Sequence, residues 1–96
     1  MKSRFDWDRG NLEKCQKHGV SIDEIESLFH GDVTVFDDHT HSLSEQRLKG
    51  IGKTSSGRSL LVVFTTRVRE GNRLIRPLSA RFMHAKEIEF YAKQKT

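Results

Sequence analysis

Ninety-six residues suffice for one two-layered core and not for a second, so every element has to share it and residues 1–96 read as a single domain. Hydrophobic residues make up 34% of the chain and charged residues 31%, with a formal charge of +4 and a pI near 9.5, which describes a globular protein with a densely charged surface suited to polyanionic partners. No apolar run reaches the roughly 18 residues of a membrane span, no signal-peptide pattern opens the chain, and a lone Cys15 excludes an internal disulfide and a structural zinc site of the usual type; a cytoplasmic protein with one small buried thiol is expected.

In chain order, Asp8 to His18 reads as a first helix stopped by Gly19, with Gly10 weakening its first turn. Ser21 and Glu24 form a capping box, and Ile22, Ile25, Leu28 and Phe29 then recur at helical spacing up to Gly31. Val33 to Asp37 is β-branched and aromatic and reads as a first strand. Glu45 to Lys53 is a second, in which Gly50 and Gly52 point to a bulge or a close approach. Leu60 to Thr66 is a continuous apolar run rich in β-branched residues, the expected central strand. Turns at Thr54–Gly57 and Arg69–Asn72 flank it, so the second, third and fourth strands should form an antiparallel meander. Pro77 cannot donate to a ladder, which places the fourth strand, Arg73 to Ala80, at an edge or a bulge. The reading is α+β: two N-terminal helices, a four-stranded antiparallel sheet and a C-terminal helix.

That last helix, drawn through Leu78–Tyr91, does not segregate as a surface helix should. At about 100° per residue, Lys86, Glu89 and Lys93 make the solvated face. Met83 with Phe90, and Ala85, Ile88 and Ala92, make two apolar flanks, and Ile88 is expected to pack like a core residue. Between the flanks run His84, Glu87 and Tyr91 at i, i+3, i+7, with Arg81 just before the first turn. An imidazole, a carboxylate, a phenol and a guanidinium are the groups that proton transfer and phosphate stabilisation require. Charge is polarised in the same direction: ten of the thirteen acids precede Gly50, and ten of the seventeen bases follow it. A basic C-terminal half is the footprint of a site that meets phosphates.

Two further groups carry possible chemistry. Asn11, Lys14 and His18 share a stripe on the first helix beside Lys17, and Arg47 with Lys49 on the second strand shares a face, with Arg67 at the end of the central strand. Each is also what an ordinary solvated face provides. His39 and His41 with Asp37 and Asp38 only superficially suggest a metal site, and no metal or other cofactor is expected.

The F-D-W-D of Phe5–Asp8, K-H-G-V of Lys17–Val20, L-L-V-V-F-T-T-R of Leu60–Arg67 and S-A-R-F-M-H-A-K-E-I-E-F-Y of Ser79–Tyr91, in this order and spacing, resemble the BrnT family of toxins from bacterial type II toxin–antitoxin systems. The resemblance spans nearly the whole chain. It implies a RelE-like fold and a ribonuclease toxin held inactive by a DNA-binding antitoxin, BrnA, with DNA reached only through that complex. A ribonuclease that attacks through the ribose 2′-hydroxyl needs a base, an acid and cations for the phosphate. From the residues, Glu87 or His84 is the candidate base, Tyr91 or His84 the acid, and Arg81 with Arg67 the phosphate clamps; Arg47, Lys17 and His18 are candidate secondary RNA contacts or proton-transfer groups, and Arg76 a candidate RNA contact. The expected activity is metal-independent cleavage of mRNA that inhibits translation. The alternative is a non-catalytic toxin or interaction module that docks its basic face on a protein target.

Overall fold

The computed structural model describes residues 4–39 and 45–95, arranged as α1 (Arg9–Gln16), α2 (Ile22–His30), β1 (Thr34–Asp37), β2 (Leu48–Lys53), β3 (Ser59–Arg69), β4 (Asn72–Phe82) and α3 (Ala85–Lys95). The strands form one antiparallel sheet in the order β1-β2-β3-β4, the α+β order read from the sequence.

Helices α1 and α2 cover one face of the sheet because their apolar positions recur at helical spacing and both starts are capped. Asp8 and Ser21 each accept from the backbone N–H three residues on, and Asn11 and Glu24 return the bond to the cap. Cys15, Val20, Ile25 and Leu28 meet Leu60, Val62, Phe64 and Ala80 in the core. Burial pushes the Cys15 thiol up to about 11, so it stays protonated and inert as a small core group. Asn11, 3% exposed, is the polar bolt between α1 and the sheet: its Nδ2 donates to the carbonyls of Asp6 and Pro77, each at 2.9 Å. It belongs to packing, apart from the Lys14 and His18 stripe it shares in sequence.

Gly52 lets α2 approach β2, since a Cβ there would stand 2.7 Å from Leu28 Cδ1 and 2.8 Å from the Asp32 carbonyl oxygen. Pro77 satisfies both of its expected placements: β4 is an edge strand, and the register shifts between Val63 and Phe64, so that Val63 faces Ser79 while Phe64 faces Pro77. The second strand is shorter than Glu45–Lys53. Gln46 and Arg47 instead give their carbonyls to Thr65 Oγ1 and the Asp38 N–H.

The C-terminal boundary differs most. β4 continues through Phe82, opposite Leu60, and the Met83 N–H donates to the Ser59 carbonyl, so α3 starts only at Ala85. The apolar β3 ladder continues past Ala80 to pair Arg81 with Leu61 and Phe82 with Leu60, and the Phe82 ring also lies 3.5 Å beneath the Arg58 guanidinium. Ile88 is 39% exposed and Phe90 56%, so the expected apolar flanks of α3 are not core. No helix among the described residues is long and apolar enough to cross a membrane.

Candidate active site

Strand alternation and register put Thr34 and Phe36 (β1), Lys49 and Ile51 (β2), Leu61 and Val63 (β3), and Ser79 and Arg81 (β4) on the sheet face turned away from α1 and α2. α3 crosses this face and is held to it by polar contacts. Arg81 forks onto Glu87 with Nη1–Oε1 2.6 Å and Nη2–Oε2 2.5 Å. Lys49 Nζ donates to the Tyr91 hydroxyl at 3.1 Å and lies 5.7 Å from the ring centre, and the Tyr91 ring lies 5.3 Å from that of Phe36.

The cleft beneath this latch, of about 300 Å³, is lined by His18, Asp38, Lys49, Leu61, Val63, Ser79, Ala80, Arg81 and Tyr91. Glu87 is held below its usual range by the Arg81 hydrogen bonds first and by Arg81 and His84 charge after them; Arg81 is correspondingly raised by Glu87. A carboxylate held ionised by a bidentate partner is a poor proton acceptor and a good orienting group. The cleft therefore offers two cations, one aligned by Glu87 and one by Tyr91, and two groups able to move protons, His18 and Tyr91.

Of the residues singled out in the sequence, the fold brings together Arg81, Glu87, Tyr91 and His18. His84 is exposed at the head of α3, where its carbonyl accepts from Ile88, and it does not line the cleft. Arg67 shares the face of Leu61 but lies six residues further along β3, about 20 Å away; it pairs with Glu45 at 3.2 Å. It does not form one clamp with Arg81. Arg76 is 15% exposed and bound to Asp6 at 3.4 Å and Asp8 at 2.9 Å, tying the N-terminal segment and the α1 cap to β4. Lys17 is exposed at the α1 C-cap and Arg47 is half-buried just before β2. His39 is exposed, 4.0 Å from Asp37; His41 lies outside the described residues, and among those described no three His, Cys, Asp or Glu side chains gather.

Ser79 joins the site without having been singled out, while Lys49 had been named only as a strand-face charge beside Arg47, and Asp38 only with the histidines of a superficial metal grouping. Lys49 was legible as a strand charge, but its partner Tyr91 is 42 residues away. Asp38, only 2% exposed, gives no periodic signal at the end of β1.

Comparison with protein families matches residues 7–87 to the family described as ribonuclease toxin, BrnT, of type II toxin–antitoxin systems. The chain belongs to the BrnT family. No curated protein matches it. The match takes in His18, Lys49, Arg81 and Glu87 of this BrnT toxin and ends four residues before Tyr91, so the phenol that closes the cleft lies beyond the matched span. Membership makes the chain a ribonuclease toxin and implies an antitoxin as its partner.

Proposed function

We propose that this BrnT toxin is an endoribonuclease that cleaves mRNA through the ribose 2′-hydroxyl, thereby inhibiting translation, and needs no metal. The convergence of His18, Lys49, Arg81 and Tyr91 on one cleft carries the reading. His18 takes the 2′-hydroxyl proton; the 2′-oxygen then bonds to phosphorus as the bond to the 5′-oxygen breaks, and Tyr91 gives its proton to that leaving oxygen. With its oxygen accepting from Lys49, the Tyr91 O–H is left to donate. Arg81 and Lys49 neutralise the charge that builds on the phosphoryl oxygens. Glu87 acts through Arg81 as a positioning residue, a narrower role than the base its spacing suggests.

The antitoxin, of the BrnA kind, neutralises by covering this cleft, and contact with DNA belongs to the antitoxin. The test is incubation of the purified toxin with RNA in EDTA. Fragments ending in 2′,3′-cyclic phosphate and 5′-hydroxyl are expected; intact RNA, or cleavage only after a divalent ion is restored, overturns the reading.

A further inference from the structure

On the other side of Tyr91 from the cleft, the same sheet face and α3 enclose a larger groove of about 470 Å³. Phe36, Ile51, Met83, Ile88 and Tyr91 supply its apolar lining, and Thr34, Ser59, Asp32 and Lys53 its polar groups. We propose that this groove is a base-recognition subsite, which holds the nucleobase of the nucleotide next to the phosphate bound by Arg81 and Lys49. The identity of the ligand as RNA substrate rests on the ribonuclease reading above.

Four observations carry it. The groove and the cleft share Tyr91, so a chain with its phosphate in one has its adjoining base at the mouth of the other. Its size falls in the range of small-ligand sites, and its mix of aromatic and aliphatic walls with a few hydroxyls is what such sites present. Lys49 and Lys53 point from the same face of β2 at either end of Ile51, about 13 Å apart. A strand laid along β2 then has a cation for a phosphate at each end and an apolar bed for the base between them. The polar groups match base edges: the Thr34 and Ser59 hydroxyls donate or accept, and the Asp32 carboxylate accepts from an exocyclic amine.

The test uses the full chain and the four nucleoside 5′-monophosphates, with inorganic phosphate as control, followed by NMR amide shifts at Thr34, Ile51 and Ile88. The monophosphates are expected to shift these amides with affinities that depend on the base, and inorganic phosphate is expected to leave them in place. Ile88 stands on an exposed helix face, so Ile88→Trp fills the groove without disturbing the core. It should weaken monophosphate binding about tenfold or more, within the range of losing a base contact, while inorganic phosphate binds as before. In cleavage, wild type should prefer one base beside the cut bond, and Ile88→Trp should flatten that preference.

Monophosphates that bind no better than inorganic phosphate, or a variant that keeps both binding and base preference, overturn the proposal. So does a folded Ile88→Trp that loses the antitoxin but retains monophosphate binding, which would assign the groove to the protein partner. Base-dependent binding by a wild-type protein that cleaves no RNA would support the subsite and remove the endonuclease reading instead.

Discussion

At the scale of single residues, the Arg81–Glu87 fork decides how α3 sits on the sheet. Glu87 has its carboxyl below the ordinary value of 4.5 because Arg81 stabilises the ionised form. Its contribution to the attachment of α3 is therefore complete above pH 4.5 and is lost as the pH falls through the lower, folded value. Amide exchange along α3 should accelerate in that acid window in the wild type, and in Glu87→Gln it should be fast at neutral pH already. Exchange that is equally slow in both proteins would separate the pair from the latch. For catalysis, Arg81→Ala should lower RNA cleavage about 10²-fold or more, the scale of losing a charge-stabilising donor, with amide exchange along α3 accelerated as in Glu87→Gln while the core under α1 and α2, which the fork does not touch, keeps its protection. Asn11 is the contrast. Its truncation orphans two carbonyls and half a capping box, so Asn11→Ala should cost about 2–3 kcal/mol in urea unfolding, and lose activity only as folded protein is lost.

At the scale of elements, α2 and α3 are bound to the sheet by different physics. α2 presses Leu28 into the space over Gly52, where the nearest backbone oxygen cannot retreat. Gly52→Ala should destabilise by about 1–3 kcal/mol through overpacking, and Ile25→Ala, at a site with no exposure, by about 2–5 kcal/mol through the cavity it leaves. α3 has no such anchor. Although helical spacing assigned Ile88 to a buried flank, Ile88→Ala should cost under about 1 kcal/mol, within the range of half-exposed positions; a loss comparable to Ile25→Ala would show that α3 belongs to the core. The same contrast explains what the sequence disclosed. α2 announced itself through a capping box and four apolar residues in phase, because its burial is one-sided. The start of α3 was misplaced because Leu78–Phe82 carries no propensity strong enough to decide, and the open edge of β3 claimed it.

At the scale of the molecule, charge and shape are set by separate features. Basic residues dominate after Gly50, yet several are consumed internally: Arg76 by Asp6 and Asp8, Arg67 by Glu45, Arg69 by Asp6. The cations of the cleft are Lys49 and Arg81. RNA affinity should fall steeply with salt, with the log–log slope of a few phosphate contacts. Lys49→Ala should reduce that slope by about one contact, and Lys14→Ala, on the exposed face of α1, should leave it unchanged. Antitoxin association should also slow as salt rises. If a toxin saturated with antitoxin bound RNA as well as the free toxin does, occlusion of the cleft would be the wrong mode of neutralisation.

Composition, periodicity and capping signals determined by themselves the α+β class, the antiparallel meander, the two placements open to Pro77 and the inward direction of Glu87 and Tyr91, although the same stripe wrongly carried His84 with them. All of these follow from interactions between residues near in sequence or from the two- and 3.6-residue periods of strand and helix. Only the tertiary structure decided which cations meet. The registers of β2 and of β4 against β3 bring Lys49 and Arg81 onto one face beneath Tyr91, and the length of β3 sends Arg67 about 20 Å away. His18 enters from the end of a helix on the opposite face, beside the β4 edge. Lys49 with Arg81, Lys49 with Tyr91 and His18 with Arg81, residues 32, 42 and 63 positions apart, line one cleft and leave no local trace of it, because their meeting depends on how the faces are stacked and not on the order of residues along the chain.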